Sequence, residues 1–312
     1  MSYTYLLAGE NLELAESELK GFLKTQGVST EINRVGRIAE TREEPSELKR
    51  LALTHEVGKK LFEIEASDLE DFEPDFEPKG SFSVRSEFIG DIDKDKEIVE
   101  EILGEKFSGY GNDVDLDSPK TELKAYLTDG KIIVSRIIED LNRGLFDRRA
   151  NQERPFSSPI SLDPVLARVL VNLSGLSAGG QVLDPFCGTG GILIEAGLCG
   201  MGVNGFDVQE DMVEGCITNL EEYGIINHNI TQKDISEVIE KDLNKFKGIV
   251  TDLPYGNSSK KTGNAVKKFL GILNDFEGTT VFMYDEKEIG DHVADYSVYV
   301  HKSLTRYIYV LE

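Results

Sequence analysis

The chain has 312 residues, of which 39% are hydrophobic; it is long enough for two or three domains with a core in each, which excludes the disordered and fibrous classes. No apolar run approaches the roughly 18 residues that cross a bilayer, and the start, MSYTYLLAGENLELAE, lacks the basic and apolar regions of a leader, so a soluble, cytoplasmic protein with no membrane partner is expected. The 34 basic against 57 acidic residues leave a net charge of −23, which argues against a broad polyanion-binding surface, because nucleic-acid affinity depends on neutralising phosphates.

In chain order, YTYLLAG reads as a strand and LELAESELKGFLKTQG as a helix stopped at Gly27. STEINRVGRIAE follows as a strand or hairpin, and Ser46 to Ile64 as a helix capped by Ser46. An acidic connector with Pro74 and Pro78 leads into the strand FSVRSEF and the helix KEIVEEILGEKF. Residues 63–117 carry nineteen acids and five bases, more than half the net excess. Asp129 and Gly130 then form a hairpin turn between Glu122–Leu127 and Lys131–Ile138. The first half is therefore α+β.

Periodicity fails from Asn142 to Ile160, which reads as an extended linker with a basic island: Arg143, Arg148, Arg149 and Arg154. Asp163 caps a new helix with Pro164 in its first turn and an apolar face of Val165, Leu166, Val169, Leu170 and Leu173. Beyond it short apolar runs alternate with helices: QVLD, Ile192–Cys199; VNGFDV, Asp211–Tyr223; ITQKD; GIVTD, Ala265–Phe276; and TTVFMYD. This spacing predicts a doubly wound parallel sheet that binds ligands at the carboxyl ends of its strands. The closing runs YSVYVH and TRYIYVL lie too close for a crossover and should pair as an antiparallel hairpin, their tyrosines serving packing.

Chemistry concentrates in the second half. VLDPFCGTGGILIEA joins a buried strand, Asp184 at its tip, a loop with Gly188, Gly190 and Gly191, and a helix. Glycines let a ligand approach the backbone, and the helix start offers unpaired amides. The pattern is GxGG, not GxGxxG, and no phosphate-loop lysine follows, so the guest suited to an acidic strand tip is one with an ammonium group, such as S-adenosylmethionine (SAM). Asp207 ends the next strand, where a carboxylate accepts from ribose hydroxyls. Asp234 ends a third, placed for an adenine amine. Phe186, Cys187 and Ile235 complete the candidate cofactor set, Cys187 as a small loop residue with no histidine nearby to activate it.

TDLPYG, Thr251 to Gly256, is the discriminating motif. A conjugated exocyclic amine is a poor nucleophile; Asp252 and the Leu253 carbonyl accept its two hydrogens and draw its lone pair out of plane, Pro254 holds Leu253 extended, and Tyr255 stacks on the base. A base within a helix must flip out to reach such a site. NSSKKTGNAVKKF follows directly, so Lys260, Lys261, Lys267 and Lys268 are expected near the catalytic mouth, within reach of flanking phosphates, with Arg148 and Arg149 as a second RNA-contacting island. The three cysteines, Cys187, Cys199 and Cys216, form no CxxC pair and the four histidines stand singly, so neither a disulfide framework nor a metal site is signalled.

DPFCGTGG (184–191), TDLPYG (251–256), RPFSSPISLDPVLARVLVNLSG (154–175) and VDLDSPKTELKAYLTDGKIIVSR together resemble the THUMP-domain tRNA guanine-N2 methyltransferases that act at position ten of tRNA. The resemblance covers most of the chain; Leu253 stands where the family's DPPY motif has its first proline. It implies an amino-terminal α+β (ferredoxin-like) domain at 1–66, a THUMP RNA-binding domain at 67–140, a linker at 141–160, and a Rossmann-like class I SAM methyltransferase domain at 161–312. It also implies that Asp252 and Tyr255 are catalytic or hold the base, that SAM is the cofactor and tRNA the substrate, that one or two methyls are transferred, and that a small zinc-binding activator protein, used by some members, is a candidate partner. Competing readings are an RNA adenine-N6 methyltransferase and a catalytically weak RNA-binding module.

Overall fold

The computed structural model describes residues 1–28, 31–108, 111–159, 161–238, 243–254, 260–301 and 304–312, with the side chains of 260–262 and 301 outside the description. Two compact units emerge: one of residues 1–12, 30–48 and 54–142, the other of residues 13–29, 49–53 and 143–312.

The first unit is built on one seven-stranded sheet. Its strands are β1 (Tyr3–Leu7), β2 (Asn33–Val35), β3 (Ile38–Thr41), β4 (Thr54–Glu65), β5 (Phe82–Phe88), β6 (Thr121–Thr128) and β7 (Lys131–Asp140), in the order β2-β3-β1-β4-β7-β6-β5. The boundary expected at residue 66 falls inside this sheet, because β4 pairs along its length with β7, joining segments on both sides of it. The helix expected over Ser46–Ile64 is also replaced: a short 3₁₀ turn at Leu48–Arg50 precedes β4. The run THEVGKKLFEIE is laddered to β1 over Thr54–Lys59 and to β7 over Glu56–Glu65, and this pairing outweighs its helical propensity. The Asp129–Gly130 turn forms as expected, both residues at positive φ (43° and 81°), the geometry of a type I′ hairpin.

The second unit contains α1 (Leu12–Thr25, from Glu13 onward), α3 (Gly144–Asp147), α4 (Pro164–Leu173), α5 (Gly191–Leu198), α6 (Glu210–Glu222) and α7 (Lys260–Leu273); α2 (Lys96–Ser108) belongs to the first. Its sheet comprises β8 (Gln181–Asp184), β9 (Gly202–Asp207), β10 (His228–Gln232), β11 (Gly248–Asp252), β12 (Thr279–Tyr284), β15 (Tyr296–His301) and β16 (Leu304–Leu311), ordered β10-β9-β8-β11-β12-β16-β15. A small hairpin, β13 (Glu288–Ile289) and β14 (His292–Val293), stands apart. Strands β8 to β12 pair in parallel and the last two antiparallel, so the α/β reading and the closing hairpin both hold. Side-chain alternation sorts the two faces: Val182, Val250, Val281 and Ile308 join the core under α4, α5 and α6, while Leu183, Ile249, Phe282 and Tyr309 join the core that includes Val266 and Phe269 of α7. Asp163 caps α4, its Oδ1 accepting from the amides of Val165 (2.9 Å) and Leu166 (3.3 Å).

The segment expected as an extended linker instead folds into this unit. α3 is followed by a 3₁₀ turn at Asn151–Glu153, and Phe146 and Arg154 are buried. Arg149 donates from Nε and Nη2 to Glu195 (2.7 and 3.2 Å), a fully buried carboxylate that Arg168 also holds at 2.7 Å. A buried carboxylate needs such partners, so Arg149, expected from the sequence to contact RNA, instead serves the fold.

Candidate active site

Parallel strands end at one edge of the sheet, and there the second unit presents four aspartates. In strand order β10-β9-β8-β11 the row is Asp234, Asp207, Asp184 and Asp252, with Asp234 two residues past its strand. β8 is flanked by β9 on one side and β11 on the other, the switch point where open α/β sheets bind ligands. A cleft of about 790 Å³ follows this edge. Of the residues expected from sequence, it is lined by Asp184, Phe186, Cys187, Gly188, Asp207, Asp234, Ile235, Asp252, Leu253, Pro254 and Lys268.

The glycine loop is shaped by backbone demands. Gly188 and Gly190 have φ of 49° and 84°, and a Cβ on Gly190 would lie 2.7 Å from the sulfur of Cys216. Gly190 is not itself in the cleft wall; it precedes Gly191, which is, and starts α5. Cys187 is buried, and its thiol is pushed well above the usual range by its hydrogen bond with Cys216 and by burial, which suits packing over nucleophilic chemistry.

The aspartates differ in setting. Asp184 is almost fully buried; its Oδ1 accepts from the Thr251 hydroxyl at 2.6 Å and the Phe186 amide at 3.1 Å, and burial, only partly offset by these bonds, pushes its carboxyl up to about 7. Among the described residues no cation pairs with Asp184, and a buried carboxylate facing the cleft in this way fits a ligand that brings an ammonium group. Asp207 Oδ2 accepts from the Gly188 amide (3.1 Å) and Oδ1 from the Gln209 amide (2.9 Å), which fixes the carboxylate against the loop and leaves lone pairs toward the cleft. Asp234 Oδ1 accepts from the amide and hydroxyl of Ser236, and these bonds hold its carboxyl below the usual range; Lys268 Nζ lies 3.8 Å away. Asp252 faces Arg306, with Arg306 Nη1 donating to Oδ2 at 3.4 Å and Nη2 to Oδ1. Burial still pushes its carboxyl up to about 6, against the lowering effect of that guanidinium. Leu253 is fully buried and its amide donates to the Met283 carbonyl, which anchors the motif to β12.

The RNA-contact candidates separate. Lys268 faces the cleft; Lys267 is exposed and does not line it; the side chains of Lys260 and Lys261, and Tyr255, lie outside the described residues. Arg148 is exposed, whereas Arg149 is engaged with Glu195. Sequence reasoning missed Val208, Lys233, Ser161 and Arg306. Val208 was legible as an apolar residue directly after Asp207, as Ile235 is after Asp234. Ser161, bonded to Thr189 at 2.8 Å, and Arg306 have no local signal. Among the described residues no cluster of three or more potential metal ligands occurs, and no helix is long and apolar enough to cross a membrane.

A protein-family profile described as RMKL-like, methyltransferase domain, matches residues 151–276. The tRNA (guanine(10)-N2)-dimethyltransferase of Methanothermobacter thermautotrophicus is 34% identical over an alignment covering 100% of this chain and 99% of that protein. The protein of the same description from Pyrococcus abyssi is 33% identical, covering 96% of each. Among solved structures, TrmN from Thermus thermophilus superposes with a TM-score of 0.56 at 21% identity, covering 100% of this chain and 99% of that one, a likeness of fold.

Proposed function

The chain belongs to the tRNA (guanine(10)-N2)-dimethyltransferase family, and from that premise we propose how its cleft carries out the reaction. The protein is a tRNA methyltransferase that acts on the exocyclic N2 amine of guanine 10, with SAM as methyl donor. The observation that carries the mechanism is the row of four strand-tip aspartates along one cleft, with Asp252 and Leu253 at one end.

In this reading Asp184 binds the ammonium end of the cofactor, Asp207 the ribose, and Asp234 with Ile235 and Val208 the adenine. The cofactor supplies a methyl group already activated on a sulfonium. The protein's task is alignment: Asp252 and the Leu253 carbonyl accept the amine's hydrogens, drawing the lone pair toward the cleft, while the buried Leu253 and Phe186 keep the pocket apolar. Once methylated, the amine sheds a proton, which in this reading the Asp252 carboxylate accepts. Lys268 and the exposed Arg148 remain the candidate phosphate contacts. Cytoplasmic residence belongs to this reading through its tRNA substrate, and the zinc-binding activator through the family resemblance alone.

The test is incubation with labelled SAM and unmodified tRNA, followed by digestion. N2-methylated guanosine, mono- or dimethylated, is expected; methyladenosine, or firm tRNA binding with no label, would displace the reading. Asp252→Ala should abolish transfer while sparing SAM affinity, and Asp207→Ala should weaken SAM binding first. Equal loss of SAM binding in both would contradict the division of roles.

A further inference from the structure

β16 runs antiparallel to its neighbour β12, so its beginning, not its end, lies at the sheet edge where the parallel strands finish. Tyr307 pairs with Tyr284 at the end of β12, and Arg306 stands one residue nearer that edge. Alternation puts Arg306 on the face of Ile308, and Asp252 on the face of Val250, both of which look into the same core. The two charged side chains therefore meet across the end of β12. Arg306 is 3% exposed and presents its fork to both carboxylate oxygens of Asp252, one nitrogen to each.

We infer that Arg306 is a positioning residue for methyl transfer: its guanidinium fixes the plane of the Asp252 carboxylate and keeps it an acceptor toward the target amine. This rests on the function proposed above. An ionised carboxylate only accepts, whereas a protonated one carries an O–H toward the donors of guanine's N1–H and N2–H edge. The surroundings favour the protonated form: Asp252 is desolvated, and Asp285 after β12 adds negative charge. Among the described residues Arg306 is the cation that opposes them, and with it in place the carboxyl still sits at about 6. The fork leaves one lone pair on each oxygen directed away from the guanidinium.

The experiment is the pH dependence of kcat, at saturating SAM and tRNA, for the unaltered enzyme and for Arg306→Gln and Arg306→Lys, with SAM affinity and melting temperature measured alongside. Saturating SAM keeps the titration of Asp184 out of the profile. For Arg306→Gln the acid limb should move up from about 6 by roughly 1–3 units, the usual effect of an opposing charge at contact distance. At pH 7 kcat should fall about tenfold, recovering as pH rises, with SAM affinity unchanged. Arg306→Lys keeps the charge but not the fork, so its acid limb should stay near the original while kcat drops. An unmoved acid limb in Arg306→Gln would overturn the inference. Should Arg306→Gln not fold, wild-type kcat in Arg306→Lys would do so. Absence of tRNA methylation by the unaltered protein would instead remove the function, and this inference with it.

Discussion

Arg149→Ala separates the two roles open to the basic segment at 143–154. In the folded protein Arg149 donates twice to Glu195 and once, from Nη1, to the Leu145 carbonyl at 3.0 Å, and its guanidinium stacks 4.6 Å from the Phe146 ring. Glu195 is fully buried and Arg149 nearly so. Stripping one partner from a buried ion pair costs about 3–5 kcal/mol when the remaining charge is left alone. Arg168 stays within 2.7 Å of Glu195, so that charge is not left alone and the cost falls below this range, to about 2–3 kcal/mol. For a unit of this size each kcal/mol moves the melting temperature by about 2–4 °C, which gives a fall of roughly 5–10 °C. The assay is a thermal melt with tRNA binding measured in parallel across a salt series, and exposed Arg148→Ala as control. The expected result is a lowered melting temperature with an unchanged salt slope for Arg149→Ala, and the converse for Arg148→Ala. An unshifted melt together with a reduced salt slope in Arg149→Ala would refute the structural reasoning, because a released phosphate contact is what lowers that slope.

Two further perturbations test the cofactor end of the cleft. With its carboxyl at about 7, folded Asp184 holds a proton that the unfolded chain releases near 4, so its contribution to stability falls as pH rises between those values, by on the order of 4 kcal/mol. Asp184→Asn retains an acceptor for Thr251 and Phe186; it should raise the stability of the ligand-free protein at pH 8 by about 1–4 kcal/mol in urea melts while SAM affinity falls at least tenfold, and a destabilised variant would count against the assignment. The same titration predicts that SAM binding, followed by calorimetry, weakens as pH drops below about 7. Gly190→Ala must adopt φ near 84° and crowd the Cys216 sulfur; with about 1–2 kcal/mol of backbone strain, its SAM affinity should fall about tenfold, and wild-type affinity would show that the loop tolerates a side chain there.

The catalytic half was largely legible because its signals are local. Apolar runs ending in aspartate, glycines in a strand–helix turn, and Asp163 ahead of Pro164 are short-range patterns whose physics needs no partner, and they anticipated the parallel sheet, the closing hairpin and the aspartate row. Where elements depended on distant pairing, local reading failed. Thr54–Glu65 has residues acceptable to a helix, and became a strand because β1 and β7 lie on either side of it.

Charge was the harder property to read. Sequence establishes how many arginines occupy 143–154, and nothing local distinguishes Arg148, which meets solvent, from Arg149, whose partner lies 46 residues further on. The same holds for Arg306, 54 residues from Asp252. The amino-acid order by itself determined which acids follow the apolar strands and the glycine loop beside Asp184, since each is written in a short local run, while the sheet order sets those acids in a row. Tertiary structure decided which cation stands against which acid: antiparallel β16 carries Arg306 back to the edge where β11 ends, and only burial turns that proximity into control of ionisation.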